Sequence, residues 1–186
     1  MAYFIIGFVL LLIIAPMVAI LPSARQKKQM RFRKEAMGQG IGVELTRIDD
    51  PIPHRDKYLS STGKPLEPIL GVAAYSLTRP KSDEWRISPR IDWILERKAE
   101  ISPDLPGHWH WHKSRPVEMS REFEDFLVRE LPSLPGDVVK IQEVNDRLVI
   151  YWHELSNEEG FASLVAFLRG CIAISPCMIH DDLDPI

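Results

Sequence analysis

Val138-Val139-Lys140-Ile141-Gln142-Glu143-Val144-Asn145-Asp146-Arg147-Leu148-Val149-Ile150-Tyr151-Trp152 is the stretch that decides the fold. Apolar and polar residues alternate on both sides of Asn145-Asp146, a two-residue loop suited to a tight hairpin. Closed there, the hairpin pairs Val144 with Arg147, Ile141 with Ile150 and Val139 with Trp152. Val139, Ile141, Leu148, Ile150 and Trp152 then share a packed face, while Lys140, Gln142, Arg147, Tyr151 and His153 share a wet one.

Working outward, each flank supplies a helix. Downstream, Ser156 with Glu159 reads as a capping box, and Phe161, Leu164, Val165, Leu168, Cys171 and Ile172 form the apolar stripe of a helix laid over the hairpin. Upstream, Ser120 precedes Phe123, Phe126, Leu127 and Leu131, one face of a second amphipathic helix that Pro132 stops. Three earlier strands are expected. Residues 41–46 alternate like a half-buried strand, and residues 69–77 are apolar or small on both faces, as a central strand is. Ile91, Trp93 and Leu95 mark the third, with Trp85 and Ile87 in an earlier part of it. The run 49–68 between the first two is too long for an ordinary connection, so it is either functional or mobile. The order β-β-β-α-β-β-α predicts an α+β domain over residues 41–178, with a mostly antiparallel sheet of about five strands and two amphipathic helices.

Ahead of this domain, residues 3–21 carry no charge. At about 1.5 Å of rise per residue, a helix of that length matches a hydrocarbon core of about 30 Å, so residues 1–22 are expected to form a transmembrane helix. Arg25, Lys27, Lys28, Arg31, Arg33 and Lys34 all follow the apolar run and none precedes it. That asymmetry places the N-terminus outside and the domain in the cytoplasm of a single-pass bacterial inner-membrane protein, and it is the wrong order for a cleaved signal peptide. Residues 23–40 then form a basic juxtamembrane helical stalk whose six cations set topology and can meet lipid headgroups. Residues 179–186 are an acidic tail.

Six cations in the stalk against a whole-chain net charge of −3 leave the rest of the chain near −9, which argues against nucleic acid as a partner. Cys171 and Cys177 lack the spacing of a redox pair or of a zinc half-site, and Cys171 continues an apolar stripe. His108-Trp109-His110-Trp111-His112 is the one local pattern with metal-binding chemistry. In an extended segment its three imidazoles point one way, a set Zn²⁺ can use, and the two tryptophans point the other. No carboxylate lies within the cluster to orient the rings, so the simpler reading has Trp109 and Trp111 anchoring the loop or offering a partner surface, with no cofactor. Gly38-Gln39-Gly40-Ile41-Gly42 precedes a strand and is a helix stop, not a dinucleotide fingerprint. Ser61-Thr62-Gly63-Lys64 lacks the first glycine of a phosphate loop.

The opening apolar run, followed by Leu21-Pro22-Ser23-Ala24-Arg25-Gln26-Lys27-Lys28-Gln29 and a Gly-bounded strand, resembles inner-membrane proteins of the YajC type over about the first 45 residues. That family is an accessory of the protein-export translocase. The whole chain is similar to a set of bacterial single-span inner-membrane proteins with a Trp-rich cytoplasmic domain, which implies a cellular setting and no particular activity. The expectation is a membrane-anchored accessory or adaptor protein with a membrane-protein partner. A membrane-tethered metalloenzyme using His108, His110 and His112 is the alternative, and a sensor of anionic lipid surfaces is the second alternative.

Overall fold

Across the Asn145-Asp146 turn the hairpin pairs Val144 with Arg147 and Ile141 with Ile150. Both turn residues have positive φ, 53° and 62°, which suits the twist of the flanking strands. The far end departs from simple alternation. Val138, not Val139, stands opposite Trp152, because a bulge between Val138 and Lys140 takes up one residue. Val138 is accordingly the fully buried valine.

This computed structural model describes residues 3–4, 23–80 and 91–177, the side chains of 55 and 56 excepted. The chain divides into two compact units, Met1–Glu35 and Ala36–Ile186. Most of helix α1 (Ala24–Gly38) belongs to the first. Ser23 and Gln26 start it with reciprocal bonds: the Gln26 side chain accepts from the Ser23 amide at 2.7 Å, and Ser23 Oγ accepts from the Gln26 amide at 3.3 Å. Its end is a Schellman turn. Ile41 N–H donates to Ala36 O and Gly40 N–H to Met37 O, with Gly40 at φ 80°.

The second unit is built on six strands: β1 (Gly42–Asp49), β2 (Ile69–Thr78), β3 (Trp93–Arg97), β4 (Trp109–Trp111), β5 (Val138–Val144) and β6 (Arg147–Trp152). Their spatial order is β1-β2-β6-β5-β3-β4 and every neighbouring pair is antiparallel. Helices α2 (Arg121–Glu130) and α3 (Glu158–Ala173) cover one face. Phe161 of α3 meets Tyr75 edge-on and stacks on Trp152, both at 6.4 Å between ring centroids, and Phe123 of α2 meets Trp93 at 5.4 Å. These are favourable aromatic separations.

Several expectations are corrected. The expected transmembrane helix over residues 1–22 lies, apart from Tyr3 and Phe4, outside the described residues. Among the described residues no helix is long and apolar enough to cross a membrane. Helix α1 cannot serve, since it carries Arg25, Lys27, Lys28, Arg31, Arg33, Lys34 and Glu35 within 15 residues. The single-pass inner-membrane placement drawn from that helix is set aside with it. The sheet has six strands instead of about five, because the Trp109-His110-Trp111 segment pairs with β3 as a strand of its own. Among the described residues the α-helices number three with α1. Asn157, not Ser156, caps α3, accepting from Gly160 N–H at 3.1 Å, while Ser156 Oγ donates to Asp137. Trp85, Ile87 and the acidic tail fall outside the described residues.

The connection 49–68 is organised by one buried carboxylate. Asp50 accepts from Ile52 N–H at 2.9 Å, Lys57 Nζ at 3.0 Å and Tyr58 Oη, and its own amide donates to Pro68 O. A second buried acid ties strands to helix. Arg79, just past β2, gives Nε and Nη2 to the two oxygens of Glu143 on β5 at 2.6 and 3.0 Å. Its three other N–H groups go to the carbonyls of Cys171, Ile172 and Ile174 at the end of α3. All five donors of the guanidinium are thereby used. Trp93 Nε1 donates to the same Glu143 at 2.9 Å.

Two substitutions test this packing. A helical Gly→Ala change ordinarily stabilises by up to about 1 kcal/mol. At Gly170 of α3, however, a Cβ would lie 2.6 Å from the Phe126 ring, itself wedged between Phe123 and Phe167. Gly170→Ala is therefore expected to destabilise by about 1–3 kcal/mol in urea unfolding, and a stabilising change would refute the crossing of α2 and α3. Arg79→Ala leaves Glu143 buried without its cation and is expected to cost about 3–5 kcal/mol, with Glu143→Gln in the same chain restoring part of it.

Candidate functional site

Strand alternation sends half of the sheet's side chains away from the helices. Glu44 and Thr46 of β1, Ala74 of β2, Gln142 of β5, and Arg147 and Tyr151 of β6 line a depression of about 140 Å³ on that face, termed helix-free because α2 and α3 both lie on the other. Register puts them together: Glu44 stands opposite Ala74, Ala74 opposite Tyr151, and Gln142 opposite Val149. The floor is apolar and tight, with Ala74 and Val149 buried. Over it, Arg147 Nη2 donates to Ser76 Oγ at 3.1 Å and lies 3.9 Å from the Glu44 carboxylate. Burial pushes the Tyr151 phenol above its ordinary value, against the pull of Arg147 and of the Gln142 hydrogen bond. The result is a shallow mosaic of cation, anion, phenol and amide over an apolar floor. Gln142, Arg147 and Tyr151 were readable as the wet face of the hairpin. Glu44 and Thr46 were not assigned to it, since only strand order brings β1 beside them.

The histidine cluster is divided. His108 Nδ1 and His110 Nε2 lie 3.2 and 3.0 Å from the Glu100 carbonyl, whereas His112 Nδ1 lies 2.9 Å from Glu96 Oε2. Among the described residues no group of three or more His, Cys, Asp or Glu is placed to hold a metal. Trp109 is buried, with the Arg97 guanidinium 4.7 Å from its ring centre, and Trp111 is half-buried. The six cations Arg25, Lys27, Lys28, Arg31, Arg33 and Lys34 lie along α1, where Lys28 and Arg31 each approach the Phe32 ring at 5.9 Å.

Several buried ionisable groups of the second unit hold the fold. Glu143 binds Arg79, and Glu154, in a left-handed backbone conformation at φ 57°, accepts from Tyr75 Oη at 2.7 Å. Burial pushes both cysteine thiols above their ordinary value, Cys171 well above it, so neither is poised as a thiolate. Asp137 accepts from the amides of Leu155 and Ser156 at 2.6 and 3.2 Å and shapes the turn into α3.

Three carboxyls are held below their ordinary values. Burial alone would raise each, but hydrogen bonds from Tyr58, Ile52 and Lys57 outweigh it at Asp50. The His112 hydrogen bond and the Lys140 charge do so at Glu96, and bonds from the Ser156 hydroxyl and from the amides of Leu155 and Ser156 do so at Asp137. A lowered folded value means the unfolded chain binds more protons in the acid range, so stability rises with pH there. The contribution is complete above the ordinary values of 3.8 for Asp and 4.5 for Glu, and it is lost as pH falls through the lower folded values. Urea midpoints are expected to stay level from neutral pH to about 5 and then to fall, with a shallower fall in Asp137→Asn. A midpoint that holds on further acidification would contradict the assignment.

No protein-family model, no curated protein and no solved structure matches the chain.

Proposed function

We propose that the domain is a non-catalytic accessory or adaptor module that holds a protein partner on the helix-free face of its sheet. The observation that carries this reading is the mosaic of Glu44, Gln142, Arg147 and Tyr151 over the floor of Ala74 and Val149. Arg and Tyr are the residue types that most often anchor protein interfaces, and an apolar floor ringed by polar groups is the usual layout of such a patch. The depression is shallow, about 140 Å³, below the roughly 300–1,000 Å³ typical of small-molecule sites. A broad contact therefore suits it better than an enclosed substrate.

The test is site-specific photo-crosslinking in cells. A photoreactive residue at Thr46, within the face, is expected to give one discrete protein adduct, and the same residue at Val128, exposed on α2, is expected to give none. Truncating the anchors in Arg147→Ala and Tyr151→Ala is expected to weaken the purified pair by about 2 kcal/mol or more each, roughly thirtyfold. Crosslinking at Val128 and not at Thr46, or affinity untouched by both truncations, would move the partner off this face.

A further inference from the structure

Strand β1 is an edge of the sheet with one neighbour, β2. It runs for eight residues, Gly42–Asp49, without a proline, and its pairing with β2 shows no register shift. Among the described residues its outward N–H and C=O groups meet no further strand. At its centre Leu45 is 65% exposed, although it stands on the helix-bearing face opposite buried Ala73. A long, regular edge with an exposed leucine at its middle is a template for strand addition.

We infer that β1 pairs antiparallel with β1 of a second copy of this chain, about a two-fold axis at Leu45. The argument is one of register. A two-fold axis normal to the sheet joins two edge strands into one continuous sheet and keeps like faces together, so odd-numbered residues oppose odd and even oppose even. Centred on Leu45, it sets Leu45 against the second copy's Leu45, Val43 against Arg47, Glu44 against Thr46, and Gly42 against Ile48. Each exposed leucine covers the other, and no like charges stand directly opposite. The two Glu44 side chains fall on the longer diagonal, about 7–8 Å apart, and each has Arg147 of its own chain 3.9 Å away. Moving the axis one residue to Thr46 would set Leu45 against Arg47 and so take from the exposed leucine its apolar partner, and moving it to Glu44 would set the two Glu44 carboxylates directly opposite. Self-complementarity at one register is what favours a second copy over an unrelated strand. An edge of this length is smaller than a standard stable interface of about 1,200–2,000 Å², so the dimer dissociates on dilution.

The experiment uses cysteine variants of the full chain under mild oxidation. Residues directly opposite in an antiparallel pair have Cα atoms about 4.5–5.5 Å apart, within disulfide reach. Leu45→Cys is expected to form a covalent dimer by itself. Val43→Cys alone and Arg47→Cys alone are expected to stay monomeric, while an equimolar mixture of the two links. Without oxidant, the mass in sedimentation is expected to double with rising concentration, to stay single in Leu45→Lys, and to double again in Leu45→Met. A single mass at every concentration would overturn the inference. Linking of Val43→Cys as readily as Leu45→Cys would equally overturn it, since that denotes another register or another surface.

Discussion

One guanidinium holds the second unit in register. Arg79 leaves the end of β2, and its five N–H groups reach a carboxylate on β5 and three carbonyls at the end of α3. Through Trp93 Nε1 the same carboxylate reaches β3. Only a planar, fork-shaped cation can serve all of these at once, which a lysine cannot do. Burying such a pair is no more stabilising than a well-packed apolar replacement, because desolvation offsets the attraction. What the pair supplies is position. The last carbonyls of a helix lack intrahelical donors and carry the negative end of its dipole, so a cation there fixes where α3 stops and how it lies on the sheet.

The placement of α3 explains the asymmetry of the two faces. With Phe161 against Tyr75 and Trp152, and Phe123 against Trp93, these fully buried aromatics lie on the helix-bearing side, whereas Tyr151 on the other is only half-buried. On the other side the centre of the sheet carries the smaller buried residues Val72, Ala74 and Val149. Polar side chains then form a rim around a shallow floor. A helix on that face would require large apolar residues where Glu44, Gln142 and Arg147 stand. The helix-free face thus follows from residue size and polarity at alternating positions, not from a shortage of helices.

Much of this was legible in the chain. The hairpin, the central strand with both faces apolar and the two amphipathic stripes are local periodic signals, and each forms where periodicity puts it. Three kinds of feature were not legible. Strand β4 is three residues long, too short for alternation to separate it from a loop, and it exists because β3 offers it an edge. Arg79 and Glu143 are 64 positions apart, so nothing local marks them as partners. Ser156 fitted a capping-box pattern, but Asp137, 19 positions upstream, takes its hydroxyl and leaves Asn157 to cap the helix. In each case a tertiary contact outweighed a local preference. The candidate surface shows the same limit: its β5 and β6 residues follow from the hairpin, whereas Glu44 joins them only through strand order.

The two ends of the sheet are finished in opposite ways. At the β4 end the strand is short, Arg97 covers Trp109, and Glu96 draws in both His112 and Lys140 at 2.9 and 3.3 Å, so side chains close around an edge that offers little backbone. At the β1 end the strand is long, and its charges point up and down from the sheet instead of outward along the hydrogen-bonding direction. Charges so arranged do not forbid pairing; they select among registers by penalising those that oppose like signs. Glu44 takes part in both of the surfaces described above, as a wall of the helix-free depression and as a member of the edge strand. Any ligand or second copy that changes the Glu44–Arg147 contact therefore acts on the other surface too, and by linkage the effect is equal in both directions. Edge and face are in this sense one electrostatic unit, joined through an exposed pair that is weak enough to be rearranged by either.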